Sequence, residues 1–327
     1  MSYIKTFLKA GISLALLTYL VYLAEPEKIL KVLSHIWYDG GIVYLIIALF
    51  VFIITQWIFS LRWQILVTGY GLKIPTHHLF NYYLIGLFFN NFLPSAIGGD
   101  VVRIYHLIEE SRERTISFAS VMTERLGGIT STLILTITSI FIFLNDFESQ
   151  ILLYLAFIML AMIVIFFILI FNQSFLVITT KLVSPIEVLR LGERVIKFLE
   201  ALRFYQNDKF IYVKILMISL LAQILIIINI YLLSLALKMN VPFTYLIFVV
   251  PIIFLVTMLP SINGIGFREG GYVVLLAKIG IGKAAALSLS LISIALPMFV
   301  SLWGALLFMF QKKIPKKKEI EIVKKNL

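Results

Sequence analysis

Eight apolar segments, at approximately 7–24, 42–61, 79–97, 117–143, 151–171, 211–237, 242–260 and 271–310, constrain this chain more than any other feature. A helical membrane crossing takes about 20 residues, and most of these segments reach that length. With 61% hydrophobic residues and a mean hydropathy of +1.02, the chain exceeds the roughly 45–50% apolar content of soluble domains. One soluble core does not need repeated runs of spanning length. The composition predicts an all-α polytopic membrane protein, with 1–327 as a single integral membrane domain.

Charge sets the orientation. Short cytosolic loops carry an excess of Lys and Arg. The linker 172–210 holds Lys181, Arg190, Arg194, Lys197, Arg203 and Lys209, and the basic tail 312–327 opens with Lys312, Lys313, Lys316, Lys317 and Lys318. Both read as cytosolic, as do the N-terminus with Lys5 and Lys9 and a loop 62–78 carrying Arg62 and Lys73. The linker 144–150 has only Asp146 and Glu148 and reads as outside. Segment 7–24 is long for a signal peptide and lacks a small-residue cleavage pattern, so it reads as a retained first span.

Eight full crossings contradict these assignments. The conflict disappears if 79–97 turns back at Asn90, Asn91 and Pro94, and 242–260 turns back at Pro260. The expected architecture is then about six full spans plus two re-entrant helical hairpins entering from opposite sides, an inverted repeat. Its halves, 1–171 and 211–311, are joined by the linker 172–210. In the last segment, Gly280 and Gly282 mark a break between a short helix and a full span. Within the linker, Val188, Leu191, Val195, Phe198 and Leu202 share one helical face; this amphipathic stretch lies on the cytosolic membrane surface or packs on neighbouring helices. A cysteine introduced at position 147 of this cysteine-free chain is expected to react with an impermeant reagent from the outside. Labelling from the cytosolic side alone would overturn the hairpin topology.

The two turning points resemble each other. Pro94-Ser95-Ala96-Ile97-Gly98-Gly99-Asp100 leads to Arg103, and Pro260-Ser261-Ile262-Asn263-Gly264-Ile265-Gly266 leads to Arg268-Glu269. Pro and Gly interrupt helices, and a charge at mid-membrane costs roughly 2.5–3.5 kcal/mol on insertion scales. Both features together point to a polar cavity at membrane depth, and interruptions in corresponding positions of two halves point to a transporter-type site. The candidate hairpin-tip residues are Asn91, Pro94, Gly98, Gly99, Pro260, Asn263, Gly264 and Gly266. The candidate substrate-binding residues are Arg103, Arg125 and Arg268, with Asp100, Glu124 and Glu269 holding them. The two motifs are expected to face one shared cavity. Arginine binds phosphate in a bidentate manner and stays charged in a low dielectric, whereas the plainer reading makes these residues structural ion pairs.

Other chemistries lack residues. No cysteine is present, which removes disulfides, thiolate zinc sites and cysteine nucleophiles. His77-His78 follows Pro75 in what reads as a solvated loop, so no metal and no cofactor is expected. No HExxH, GxSxG or phosphate-binding lysine loop occurs. The net charge of +11 lies in flanks and loops, which fits anionic lipid headgroups better than nucleic acid.

Asn91-Phe92-Leu93-Pro94, Gly98-Gly99-Asp100 with Arg103, Glu124-Arg125 with Gly127-Gly128, and Asn263-Gly264-Ile265-Gly266-Phe267-Arg268-Glu269-Gly270 together resemble the lysylphosphatidylglycerol synthase transmembrane family. This is the flippase-like membrane region of the multiple peptide resistance factor, also found in stand-alone form. The resemblance implies a plasma-membrane lipid translocase with phosphate-bearing lipids, phospholipid or polyprenyl-linked, as partners. Only 312–327 follows the last span, so the family's aminoacyl-transferase domain is not expected and neither is enzymatic activity. Two alternatives remain: a non-transporting partner of a separate lipid synthase or glycosyl transferase, and an intramembrane enzyme that uses the carboxylates.

Overall fold

A computed structural model describes residues 17–92, 98–143, 154, 156–161, 164–165, 209–258 and 264–310. Among them the regular structure is helical, and the principal elements are α1 (Pro26–Tyr38), α2 (Gly41–Gly69), α3 (Thr76–Phe92), α4 (Gly98–Ser111), α5 (Arg114–Ile142), α6 (Lys209–Ala236), α7 (Phe243–Thr257), α8 (Phe267–Ala277) and α9 (Lys283–Phe310). Four of these, α2, α5, α6 and α9, are long and apolar enough to cross a membrane. Two further expected spans, 7–24 and 151–171, lie largely outside the described residues. The linker 144–150, most of 172–210, the tail from 311, and the tip residues Pro94, Pro260 and Asn263 also lie outside them.

Contacts divide the chain into two compact units. One comprises Met1–Gln56, Leu87–Gly98 and Ala222–Leu306, and the other Trp57–Gly86, Gly99–Leu221 and Leu307–Leu327.

The second unit contains an antiparallel helix pair. His78 of α3 meets Glu110 of α4, with Nδ1 and Oε1 2.6 Å apart. One turn on, the Tyr82 ring stacks on His106 with centroids 5.0 Å apart. A further turn on, Gly86 lies against Arg103. The partner numbers fall as the first numbers rise, so α3 and α4 run antiparallel. The turn expected at Asn90 and Asn91 does not fall there, because α3 runs through both residues as far as Phe92, and Pro94 lies outside the described residues. Trp63, Val67, Leu79, Val101, Ile104, Leu107 and Val121 form the apolar core that joins this hairpin to α2 and α5.

The first unit holds a second hairpin of the same kind. Tyr245 Oη donates to the Leu275 carbonyl at 2.8 Å. Gly271 lies against Ile253, and Gly264 against Thr257, so α7 and α8 are also antiparallel. Gly280 ends α8 in the left-handed region (φ 77°), where Ile281 N–H donates to the Leu276 carbonyl at 3.1 Å. The break expected at Gly280 thus separates a short helix from a span, as the sequence suggests.

One further sequence expectation needs correction. The loop placed at 62–78 is helical as far as Gly69, and α2 stops where Gly71 adopts φ 82°. Arg62 is therefore not a loop charge. It sits inside a spanning-length helix and is buried. Ahead of α2, the stretch after residue 24 forms α1, which has Pro at its start and Glu27 in its first turn. Ile29 packs with Ala24 and Leu287, while Trp37 and Tyr38 remain exposed, as amphipathic rings at a membrane interface do.

Candidate functional site

Asp100 and Arg103 are three residues apart on α4, and this spacing puts both side chains on one face. Asp100 also stands in the first turn, where the helix dipole favours an anion. Opposite them, α5 presents Glu124 and Arg125. From α2 comes Arg62, which sequence reasoning missed as a site residue. These five side chains form one chain of alternating charge within the second unit.

Its hub is Glu124, 1% exposed. One carboxylate oxygen accepts from Arg62 Nη2 at 2.7 Å and from the Tyr83 hydroxyl. The other accepts from Arg103 Nη2. Arg103 Nη1 lies 3.5 Å from Asp100 Oδ1, and the second Asp100 oxygen pairs with Arg125 Nε. The order is Arg62, Glu124, Arg103, Asp100, Arg125. Four of the five side chains are at most 6% exposed, and Arg125, at 40%, forms the outer end.

Aromatic rings hold the inner members. The Arg103 guanidinium lies 3.7 Å from the Tyr83 ring centroid and 4.3 Å from that of Trp63. Arg62 lies 4.9 Å from the centroid of Phe59 and donates to Ser219 Oγ at 2.9 Å. Cation–π contacts of this kind strengthen when desolvated. Trp63 Nε1 donates to Ser120 Oγ at 3.0 Å, which fixes the ring. Glycines make the space: Gly128 lies against the Arg62 guanidinium, Gly127 against Ile215 and Ser219, and Gly86 against the Arg103 stem.

Three guanidiniums against two carboxylates leave one positive charge. Arg62 Nε, Arg103 Nε, the Thr123 hydroxyl and one Asp100 carboxylate oxygen, Oδ2, are buried without a hydrogen-bond partner. Buried charges are stabilised when paired, so the excess positive charge of these five side chains suits them to one more anion.

Arg268 and Glu269 belong to the other unit and are built differently. Gly264 and Gly266 adopt φ 76° and 88°, and this turn starts α8. Glu269 is fully buried; its carboxylate accepts the Gly266 N–H and the Ser290 hydroxyl, the latter at 3.4 Å. That is an N-terminal cap made from the third helical position. Glu269 therefore positions the turn. Arg268 reaches the same carboxylate through Nε at 3.4 Å and keeps 18% exposure. Of the other tip residues, Asn91 donates to the Pro297 carbonyl at 3.3 Å, and Gly98 and Gly99 are buried at the start of α4.

Helices of spanning length, two helical hairpins and a buried ion chain define an integral membrane protein with a polar interior. The family described as the lysylphosphatidylglycerol synthase TM region matches residues 6–304, and the chain belongs to it. A UPF0104 membrane protein of Methanocaldococcus jannaschii is 26% identical over 317 residues, covering 89% of this chain and 91% of that protein. A UPF0104 membrane protein of Methanothermobacter thermautotrophicus is 38% identical over 85 residues, 25% of each chain. No solved structure matches.

Proposed function

We propose that the protein moves a phosphate-bearing amphiphile between membrane leaflets, acting as a lipid translocase of the plasma membrane with both termini cytosolic. The observation that carries this reading is the ion chain, with three guanidiniums against two carboxylates and its exposed end at Arg125. A lipid phosphate supplies the balancing negative charge, and the planar fork of an arginine receives it in two-point fashion. The family's description names a phosphatidylglycerol-derived lipid, whose headgroup carries a phosphodiester. In this reading the headgroup passes the ion chain of the second unit while the tails stay in lipid. The chain performs no bond-making step of its own.

The test uses purified protein in liposomes with a fluorescent short-chain phosphatidylglycerol. A translocase changes its sidedness, an enzyme changes its mass, and a partner of a separate synthase does neither. Within this assay Arg268→Lys separates binding from structure. Lysine keeps the charge but loses the fork, so the rate is expected to fall about tenfold, equivalent to roughly 1.4 kcal/mol. Unfolding should be unchanged. Wild-type transport by a folded Arg268→Lys protein would make Arg268 a structural counter-ion instead.

A further inference from the structure

The two ends of the ion chain differ in a way that singles out Asp100. At the inner end, Glu124 uses both oxygens on Arg62, Arg103 and Tyr83, and Arg103 is held between the faces of Trp63 and Tyr83. Nothing there can yield without uncovering a buried charge. At the outer end, Arg125 is 40% exposed and its Nε is held by a carboxylate that is itself 4% exposed. The second oxygen of that carboxylate already faces Arg103 Nη1 at 3.5 Å. Asp100 can therefore release Arg125 and remain paired, by closing on Arg103.

Charge fixes what would replace it. The five side chains carry one net positive charge, so a single added negative charge brings the cluster to neutrality. A phosphodiester carries one such charge, whereas a terminal phosphate carries between one and two at neutral pH. Resting on the headgroup-binding reading above, we infer that Asp100 is an internal stand-in for the substrate phosphate. It holds Arg125 when the site is empty and surrenders it to a singly charged phosphodiester headgroup, turning to Arg103 as it does so. Asp100 thereby sets both the ease of loading and the reset after release.

A counter-ion that competes with substrate has a signature that a structural one lacks: removing its charge tightens binding. Full-length protein in maltoside detergent, which carries no phosphate, is titrated with short-chain phosphatidylglycerol and followed by tryptophan fluorescence. Trp63 beside Arg103 supplies the signal. Asp100→Asn is expected to lower the Kd about tenfold, and Arg125→Gln to raise it about tenfold with unchanged unfolding. In the Arg125→Gln background, Asp100→Asn should give no tightening. Unchanged or weaker binding by Asp100→Asn beside a binding wild type overturns the stand-in role while leaving the headgroup site intact. If Asp100→Asn does not fold, Arg125→Gln decides: wild-type affinity in that variant overturns the proposal. Absence of binding in wild type and every variant removes the headgroup-binding reading as well. Inorganic phosphate competing as strongly as the lipid would overturn the phosphodiester assignment.

Discussion

Replacing Glu124 with alanine is expected to destabilise the protein by about 3–5 kcal/mol, the cost of removing one partner from a buried ion pair. The effect is large because one carboxylate serves two buried guanidiniums. Arg62 and Arg103 both lose their shared counter-charge, and each already has an unpartnered Nε. Arg62 retains Ser219 and the Phe59 face, and Arg103 retains Asp100 with Trp63 and Tyr83, so the loss should not exceed this range. Glu124→Gln keeps the shape and an acceptor for Tyr83 but not the charge, and should recover only part of the loss. Denaturant unfolding in detergent micelles measures both variants. A loss below about 1 kcal/mol for Glu124→Ala, the scale of an exposed pair, would mean that Glu124 is not the hub described here.

Hydropathy and charge made the helical character and the break at Gly280 legible, because each depends on local chemistry. Pro and Gly report where a helix stops, and long apolar runs report where it continues. Arg62 was not legible in this way. A single charge ends an apolar run when hydropathy alone is followed, yet Trp63 and the apolar Ile65-Leu66-Val67 beyond it continue the helical pattern past the arginine. That continuation was the available signal. What remained hidden was the partner, since Glu124 lies far along the chain and no local spacing links it to Arg62. Asp100, Arg103, Glu124 and Arg125 were each visible as charges beside apolar runs, but their order along the ion chain was not. Glu269 shows the same limit: its pairing with Arg268 follows from the motif, while its burial and its cap on the Gly266 N–H do not. The helix α1 escaped because it is short and amphipathic, beneath the threshold of a search for spans.

Gly86→Ala should impair function strongly for a single added methyl. An alanine Cβ at 86 would lie 2.8 Å from Arg103 Cγ, 2.9 Å from Cδ and 3.0 Å from the Gly99 carbonyl oxygen. Long side chains ordinarily relieve such clashes by swinging away. The Arg103 stem cannot do so, because its guanidinium is fixed by Glu124, by Asp100 and by the Trp63 and Tyr83 faces. The Gly99 oxygen is backbone and belongs to the first turn of α4, so it yields only if that helix moves. Either the two helices separate or Arg103 leaves its rings. Overpacking of this kind costs about 1–3 kcal/mol. Transport is expected to fall about tenfold or more, since small displacements of positioning groups act strongly on function. Gly282→Ala supplies the control: no atom lies within 4 Å of its added Cβ, so its stability should stay within about 0.5 kcal/mol of wild type. Tryptophan fluorescence and liposome transport of the two variants, measured side by side, decide the matter. Normal transport by Gly86→Ala would show that the close approach of α3 and α4 at Arg103 is not needed for function.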